Sequence, residues 1–247
     1  MKKESVQQMA VSAILIAIIA LMTFTPVGYV TIGTVFSICT IHIVVLLAAM
    51  LFGWKQGLVS GLAFGGLCLM KAAIMPTAAT DALFINPLVS VLPRVLFGII
   101  SGVVFDYLRR IKNKAVRSVS FVIASGVCTM LHTALVLGSL WIFNQEIFST
   151  GLKLFITTII GLNFVVECSG AMVLVPSLGL AIGLAKKKYN PYGDNTYPYR
   201  LTIVPILFVV MFAVLTVAFL TNASIYAFVP LVAVVALAIV MVQLRKE

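Results

Sequence analysis

The sequence predicts an all-α polytopic membrane protein. Hydrophobic residues make up 62% of the 247 residues and charged residues only 10%, and the mean hydropathy is +1.17. A soluble domain carries about 25% charged residues, so this chain has too little polar surface to be a soluble monomer. A helix needs about 20 apolar residues to cross the hydrocarbon core, which leaves room for several crossings. A separate soluble catalytic domain and a disordered protein are therefore excluded.

Eight apolar runs are long enough to span the bilayer, and together they predict the order of the elements. Six of them form a predicted core at 1–188, which is followed by a cytoplasmic linker at 189–200 and by a two-span hairpin with a short tail at 201–247. The run at 152–185 is too long for one upright crossing, so it either tilts strongly or extends past the bilayer. The runs are 5–24, 33–53, 56–75, 86–108, 118–143, 152–185, 201–220 and 224–243.

The basic residues predict the orientation of these spans. All but three of the 17 Lys and Arg residues, namely Lys71, Arg94 and Lys153, fall on one side of an eight-span arrangement. Basic residues concentrate on the cytoplasmic side of membrane proteins, so both termini are expected in the cytoplasm. The formal net charge of +10 is then accounted for by topology. It indicates a lipid bilayer as partner and no nucleic acid.

The sequence carries no motif for catalysis, metal binding or nucleotide hydrolysis. Cys39, Cys68, Cys128 and Cys168 fall inside apolar runs without paired spacing, which predicts buried thiols and neither disulfides nor a metal site. No phosphate-binding GxxxxGK[ST] loop and no HExxH zinc motif occurs. We therefore expect no catalytic residue and no cofactor in this chain, and we do not interpret it as an enzyme.

Four polar side chains from four predicted spans reach a similar depth. Arg94 lies 15 residues before Arg109, which places it roughly 22 Å from the cytoplasmic boundary. The same arithmetic brings Lys71, His132 and Asn163 close to this level. Ionisable groups inside a bilayer are costly and usually functional, so these residues predict a binding pocket that opens outward. The alternative is that Arg94 or Lys71 reaches outward to the interface as a snorkelling side chain.

Local spacing extends the candidate site along the fourth span. Asn86, Ser90 and Arg94 recur every four residues and so share one helix face. Glu167 is interpreted as a structural counter-ion, which would neutralise Arg94 or Lys71. His42, in the middle of its span, is expected to be a packed neutral histidine.

Small residues form a stripe along the first span. Ala13 and Ala17 belong to a narrow alanine face of this helix. Such faces allow close helix approach in lipid, so the stripe suits either internal packing or a partner helix. The glycines at 57, 61 and 65 and at 98 and 102 form similar faces, for which we expect internal packing.

Three further stretches carry a resemblance to a known family. They read Phe-Gly-Trp-Lys-Gln-Gly at 52–57, Gly-Leu-Ala-Phe-Gly at 61–65 and Asn-Pro-Leu-Val-Ser-Val-Leu-Pro-Arg at 86–94. With the Ala13 and Ala17 stripe, they resemble the substrate-binding (S) component of an energy-coupling factor (ECF) vitamin transporter. The resemblance covers roughly 5–188, and the last two spans lie outside it.

The resemblance implies a six-helix core that captures a water-soluble vitamin from outside a bacterial plasma membrane. It implies that the connections at 25–34 and 76–85 cap the pocket. It also implies that Ala13 and Ala17 dock on a transmembrane coupling subunit, which works with two ATPase subunits that use ATP. The intramembrane Arg94 suits a carboxylate ligand because a guanidinium forms bidentate bonds with it, so pantothenate is the favoured vitamin.

A second class of function remains open at this stage. A self-sufficient secondary transporter of a small anionic or polar metabolite could couple to protons through Glu167 and His132. Such transporters often consist of two repeated halves, and an arrangement of six plus two spans does not divide in this way. A structural or assembly protein would leave the convergence of polar side chains unexplained.

Overall fold

The structure is a computed structural model that describes residues 3–32, 36–76, 79–143 and 164–185. Within these ranges the chain forms six α-helices, one 3₁₀ segment at Ala79–Ile85 and a two-stranded antiparallel hairpin. The strands are β1, Tyr29–Ile32, and β2, Phe36–Cys39. The helices are α1, Lys3–Thr23; α2, Ile41–Phe52; α3, Trp54–Ile74; α4, Pro87–Leu108; α5, Lys114–Phe143; and α6, Phe164–Ala185.

The described helices coincide with most of the first six predicted spans and differ from them at one place. Helices α1, α3, α4 and α5 coincide with the first, third, fourth and fifth predicted spans. The second run, 33–53, is helical only from Ile41, because its first residues pair as β2. Helix α6 accounts for the second half of the run at 152–185. The rest of that run, the linker at 189–200 and the hairpin at 201–247 lie outside the described residues.

The lengths and composition of the helices indicate a multi-pass membrane protein. Among the described residues, three helices are long and apolar enough to cross a membrane: Trp54–Ile74, Pro87–Leu108 and Ala115–Phe143. Shorter apolar helices occur at Met9–Thr23, Ile41–Phe52 and Val166–Ile182. The four cysteines are free thiols; Cys68 and Cys128 are buried, as the sequence predicted, whereas Cys39 and Cys168 are only partly buried.

Among the described helices, α3 and α4 form the most extensive pair, and glycines bring their backbones together. Gly57 faces Gly98, and Gly61 faces the backbone of Arg94, so the two helices run antiparallel. A Cβ atom at Gly65 would lie only 2.7 Å from the Cα of Val91. The internal packing expected for both glycine faces is confirmed, and it sets the register of Ser90 and Arg94 of α4 against α3.

Helix α1 packs against α3 through one of its faces. Leu15 and Ile19 are buried on this face. One turn earlier, the Ser12 hydroxyl donates to Gln56 Oε1 at 3.0 Å and accepts from Gln56 Nε2 at 2.8 Å. In an apolar environment such a paired polar contact orients one helix on another.

The β-hairpin joins α1 to α2 and defines one end of the bundle, which we call the hairpin end. Its register pairs Tyr29 with Cys39. Next to it, the Thr40 backbone N–H donates to the carbonyl of Gly28 at 3.0 Å, and the Thr40 hydroxyl donates to the carbonyl of Val27 at 2.7 Å. These bonds close the connection at its base.

At the opposite end, α2 and α3 are separated by the single residue Gly53, whose φ is +86°. Such a left-handed backbone favours glycine. Arg109, just after α4, donates from Nη2 to the carbonyls of Ala49 and Met50 at 3.1 and 2.6 Å. These carbonyls belong to the last turn of α2. That of Ala49 also accepts from the Gly53 backbone N–H at 2.9 Å, whereas the Trp54 N–H, which would continue the helix to Met50, donates to Asp106. Burial lowers the pKa of Arg109, while the nearby Asp106 carboxylate acts in the opposite direction.

Asp106 completes this end from the same turn of α4. Its Oδ2 accepts from the backbone N–H of Trp54 at 3.1 Å, which caps the start of α3. Its Oδ1 forms an ion pair with Arg109 at 3.0 Å. Asp106 in the last turn of α4 and Arg109, which follows that helix, therefore contact both helix ends at the Gly53 break.

Candidate functional site

Arg94 is held in place by a carbonyl that a proline leaves free. Pro93 has no N–H and cannot donate to the carbonyl of Val89, its partner one turn earlier in α4. Arg94 Nη1 donates to that carbonyl at 2.9 Å and to the carbonyl of Ser90 at 2.8 Å. The guanidinium thus supplies the missing donor, and its orientation is fixed by its own helix.

The rest of the Arg94 guanidinium lies between aromatic side chains. Its Cζ is 5.3 Å from the ring centroid of Phe64 on α3 and 5.1 Å from that of Phe84 in the 3₁₀ segment. Arg94 is only 6% exposed, and its Nε has no hydrogen-bond partner among the described residues. A buried donor on a charged group is costly when unpaired, so this position favours an anionic ligand.

His132 of α5 packs onto the ring of Phe64, which also contacts Arg94. Its ring centroid is 5.7 Å from that of Phe64 and 4.8 Å from that of Phe97. Its imidazole also stacks on His42 of α2, at 5.6 Å and an interplanar angle of 13°. His132 is 5% exposed, and neither ring nitrogen has a partner within the described part of the chain. It can therefore offer a donor and an acceptor to a ligand.

Lys71 and Tyr29 link α3 to the hairpin. The Tyr29 hydroxyl and Cys68 Sγ are 2.8 Å apart, within hydrogen-bonding distance. Lys71 Nζ lies 4.2 Å from the centroid of the Tyr29 ring, a cation–π contact. Burial raises the pKa of Tyr29 well above its ordinary value. The nearby Cys68 and Cys39 raise this pKa further, by smaller amounts. The phenol is therefore neutral at physiological pH.

Glu167 of α6 contacts the other strand of the hairpin. Its Oε1 accepts from the backbone N–H of Cys39 at 2.8 Å. The structural role expected for Glu167 thus takes the form of a bond to the hairpin backbone. Glu167 was expected to neutralise either Arg94 or Lys71. Arg94 instead donates to carbonyls of its own helix.

The structure brings some of the predicted binding residues together. Arg94 and His132 contact the same ring of Phe64, and we call these three residues with Phe84 the Arg94 cluster. Lys71 lies on α3 two turns beyond Phe64, where it reaches the hairpin. The similar depth that helical rise predicts for Arg94 and His132 agrees with this arrangement.

The other predicted binding residues have structural contacts or cannot be placed. The Asn86 side chain accepts from the Leu88 backbone N–H at 3.0 Å and so caps α4. The Ser90 hydroxyl donates to the carbonyl of Gly65 at 3.1 Å, across the α3–α4 contact. Asn163 lies outside the described residues.

Three aromatic side chains of the site were not singled out from the sequence. Phe64, Phe84 and Tyr29 all contact one of the predicted cations. Tyr29 and Phe84 fall in the connections at 25–34 and 76–85, which were expected to cap the pocket. The presence of an aromatic residue in each of these two connections was the sequence signal that could have identified Tyr29 and Phe84 as site residues. His42, expected to be a packed histidine, is fully buried and stacks on His132.

Ala13 and Ala17 lie on the exposed face of α1. On a helix, both positions are about 160° away from Leu15, which is buried against the rest of the bundle. Internal packing within the described residues therefore does not use this alanine face. A small-residue face of this kind is open to a partner helix.

Comparison with known proteins places the chain in a family. The sequence model of the family described as "ECF transporter, substrate-specific component" matches residues 7–179 of this chain. The chain is also similar to the pantothenate transporter PanT of Leuconostoc mesenteroides, with 28% identity over 137 residues. That match covers 54% of this chain and 67% of the relative. These proteins are transport components and not enzymes. The chain belongs to the substrate-specific components of ECF transporters.

Proposed function

We propose that this protein binds pantothenate at the hairpin end of its bundle and delivers it to an ECF coupling subunit for import. The proposed site comprises the Arg94 cluster, Lys71 and the predicted residues Asn86, Ser90 and Asn163. Two partner ATPase subunits supply the energy from ATP, and this chain needs no cofactor. The proposed location is a bacterial plasma membrane with both termini in the cytoplasm.

The unpaired Nε of the buried Arg94 is the observation that carries this proposal. The Pro93–Arg94 pair leaves Nη1 on backbone carbonyls and fixes the plane of the guanidinium. Nε lacks a partner among the described residues. A carboxylate satisfies such a donor with a charge-assisted bond, which is about twice as strong as a neutral one. Pantothenate has one carboxylate, and the pantothenate transporter among the relatives supports this choice.

The neutral groups around Arg94 suit the remainder of such a ligand. Pantothenate carries an amide and two hydroxyl groups beyond its carboxylate. His132 offers two ring nitrogens without partners within the described ranges, and the rings of Phe64 and Phe84 offer apolar surface. Ligand sites of this composition, mostly apolar with few polar groups, are common for small molecules.

The exposed alanine face of α1 supports docking on a coupling subunit. Ala13 and Ala17 leave a narrow groove-like face that admits a second helix at close distance. The sequence has no phosphate-binding loop, so ATP that drives import would be hydrolysed by partner subunits. The chain by itself would then bind its vitamin without accumulating it.

The test compares pantothenate with panthenol, in which an alcohol replaces the carboxylate. We expect the purified full chain to bind pantothenate much more tightly than panthenol in isothermal titration calorimetry. In the Arg94→Gln variant this preference should disappear, because Gln keeps a donor for the Val89 carbonyl but has no charge. Equal affinity of the wild-type protein for both compounds would contradict a carboxylate ligand at Arg94.

Reconstitution into liposomes tests the coupling. We expect pantothenate uptake only when the coupling subunit, the two ATPases and ATP are present. Uptake by this chain alone under a proton or sodium gradient would contradict the proposal and favour a secondary transporter.

A further inference from the structure

A surface groove lies at the end of the bundle opposite the hairpin. It has a volume of about 490 Å³ and is located where α3 begins and α4 ends. Gly102 allows the close approach of Trp54 that forms one side of it. The groove is lined by Trp54, Val103, Asp106, Tyr107 and Arg110.

The charge available in this groove is positive. The Asp106 carboxylate is already bound by Arg109 at 3.0 Å and by the backbone N–H of Trp54 at 3.1 Å. Arg110 is exposed at the groove, and Lys55 Nζ lies 5.9 Å from the centroid of the Trp54 ring. Arg110 and two aromatic side chains therefore line the groove with Asp106, whose charge Arg109 offsets, and Lys55 lies beside one of the two aromatic rings.

An exposed apolar stripe continues from the groove along α4. Its members recur every three or four residues and so follow one face of the helix. The stripe leads from the cationic groove towards the middle of the bundle, which is the shape expected for a polar headgroup attached to an acyl chain. It consists of Tyr107, Val103, Ile100, Leu96 and Leu92.

We propose that this groove binds an anionic phospholipid of the cytoplasmic leaflet. The phosphate would contact Arg110 and Lys55 between Trp54 and Tyr107, and an acyl chain would lie along the stripe. The orientation predicted from the sequence places this end at the cytoplasmic surface, where anionic lipids and basic residues meet. Trp and Tyr are typical of this interface.

This lipid site is separate from the vitamin site. Arg110 lies 16 residues beyond Arg94 on a nearly continuous helix, which corresponds to about 24 Å. Lipid binding can therefore be measured without any vitamin and without partner subunits.

Native mass spectrometry of the full chain in detergent tests the proposal, with phosphatidylglycerol and phosphatidylcholine of equal chain length as probes. We expect preferential retention of phosphatidylglycerol. The double variant Lys55→Gln/Arg110→Gln should lower its affinity about 20-fold, because each cation near a lipid surface contributes roughly a fivefold effect. Lys112→Gln, which removes an exposed charge two residues beyond Arg110 that does not line the groove, is the matched control.

Three results would overturn the proposal. Equal retention of both lipids would show no headgroup selectivity. A similar loss in Lys112→Gln would indicate general surface charge and no defined groove. Unchanged lipid retention in the double variant, combined with lost co-purification of the coupling subunit, would make the groove a protein contact. Unchanged pantothenate affinity and circular dichroism of the double variant would confirm that the fold is intact.

Discussion

The guanidinium of Arg94 lies over the ring of Phe64, with 5.3 Å between Cζ and the ring centroid. The same ring stacks on His132 at 5.7 Å. One side chain of α3 therefore organises a cation from α4 and an imidazole from α5. The α3–α4 register, which the facing glycines establish, consequently controls the geometry of the proposed vitamin site.

The first prediction concerns the charge of Arg94. Arg94→Gln should reduce pantothenate affinity by about 30-fold to several-thousand-fold, since losing a buried charge-assisted contact costs roughly 2–5 kcal/mol. Arg94→Lys should recover only part of it, because an ammonium lacks the planar fork. Calorimetric titration measures both variants.

Its control is Arg110→Gln, which removes the same charge near the far end of α4. We expect this variant to bind pantothenate like the wild-type protein. If Arg94→Gln kept wild-type pantothenate affinity while Arg94→Ala unfolded at a lower temperature, the role of Arg94 would be structural, namely to donate a hydrogen bond to the Val89 carbonyl.

The second prediction concerns the α3–α4 contact. Gly98→Ala should destabilise the protein by about 1–3 kcal/mol, because its methyl group would collide with the Gly57 backbone. The control is Gly66→Ala on α3, where no atom lies within 4 Å of the added Cβ. This variant should be as stable as the wild-type protein or slightly more stable, because alanine favours a helix more than glycine does. Thermal unfolding in detergent compares the two. Equal melting temperatures would mean that the helices can separate at no cost.

The third prediction concerns the contact of the hairpin with α3. Tyr29→Leu removes both the hydroxyl near Cys68 and the ring under Lys71, whereas Tyr29→Phe keeps the ring. We expect pantothenate to dissociate faster from Tyr29→Leu than from Tyr29→Phe, by roughly fivefold for a cation–π contact of about 1 kcal/mol. Stopped-flow dissociation measures this difference, with the exposed Tyr107→Phe as control. Identical rates in all variants would show that the hairpin does not retain the ligand.

The raised pKa of Tyr29 gives this contact a defined pH dependence. A phenol whose pKa is higher in the folded than in the unfolded state stabilises the fold below the unfolded pKa of about 10. That contribution is lost as the pH rises beyond this value. We therefore expect the difference in thermal stability between wild-type and Tyr29→Phe to be constant from about pH 6 to 9. A change within that range would contradict a buried neutral phenol.

The fourth prediction separates docking from ligand binding. Ala17→Leu should abolish co-purification with the coupling subunit and vitamin uptake, because a bulky side chain prevents close helix approach. Pantothenate affinity should stay the same, since Ala17 is exposed on α1. Ala134→Leu, an exposed alanine on α5, is the control and should retain uptake. Lost pantothenate binding in Ala17→Leu would assign the alanine face to internal packing.

Much of the site's arrangement could be predicted because helical rise alone determines depth. Arg94 and His132 were expected at one level, and both contact Phe64. Asn86 was grouped with them by its spacing; in the structure its side-chain oxygen caps α4, and its role in binding stays a prediction. An asparagine directly before a proline at a helix start is a recognisable capping signal. The hairpin at 29–39 was not predicted, because its apolar residues merge with those of α2 and an apolar run does not distinguish strand from helix.

By itself, the sequence determined the membrane class, the described spans and the polar residues that enter them, because these depend on the length and composition of continuous segments. It also contained the Pro93–Arg94 pair, whose consequence for the Val89 carbonyl is local to one helix turn. Only the tertiary structure decided that Phe64 would lie between Arg94 and His132 and that Glu167 would bond to the hairpin at Cys39. These contacts join residues far apart in the chain, so they depend on how the helices pack, which composition and periodicity do not specify.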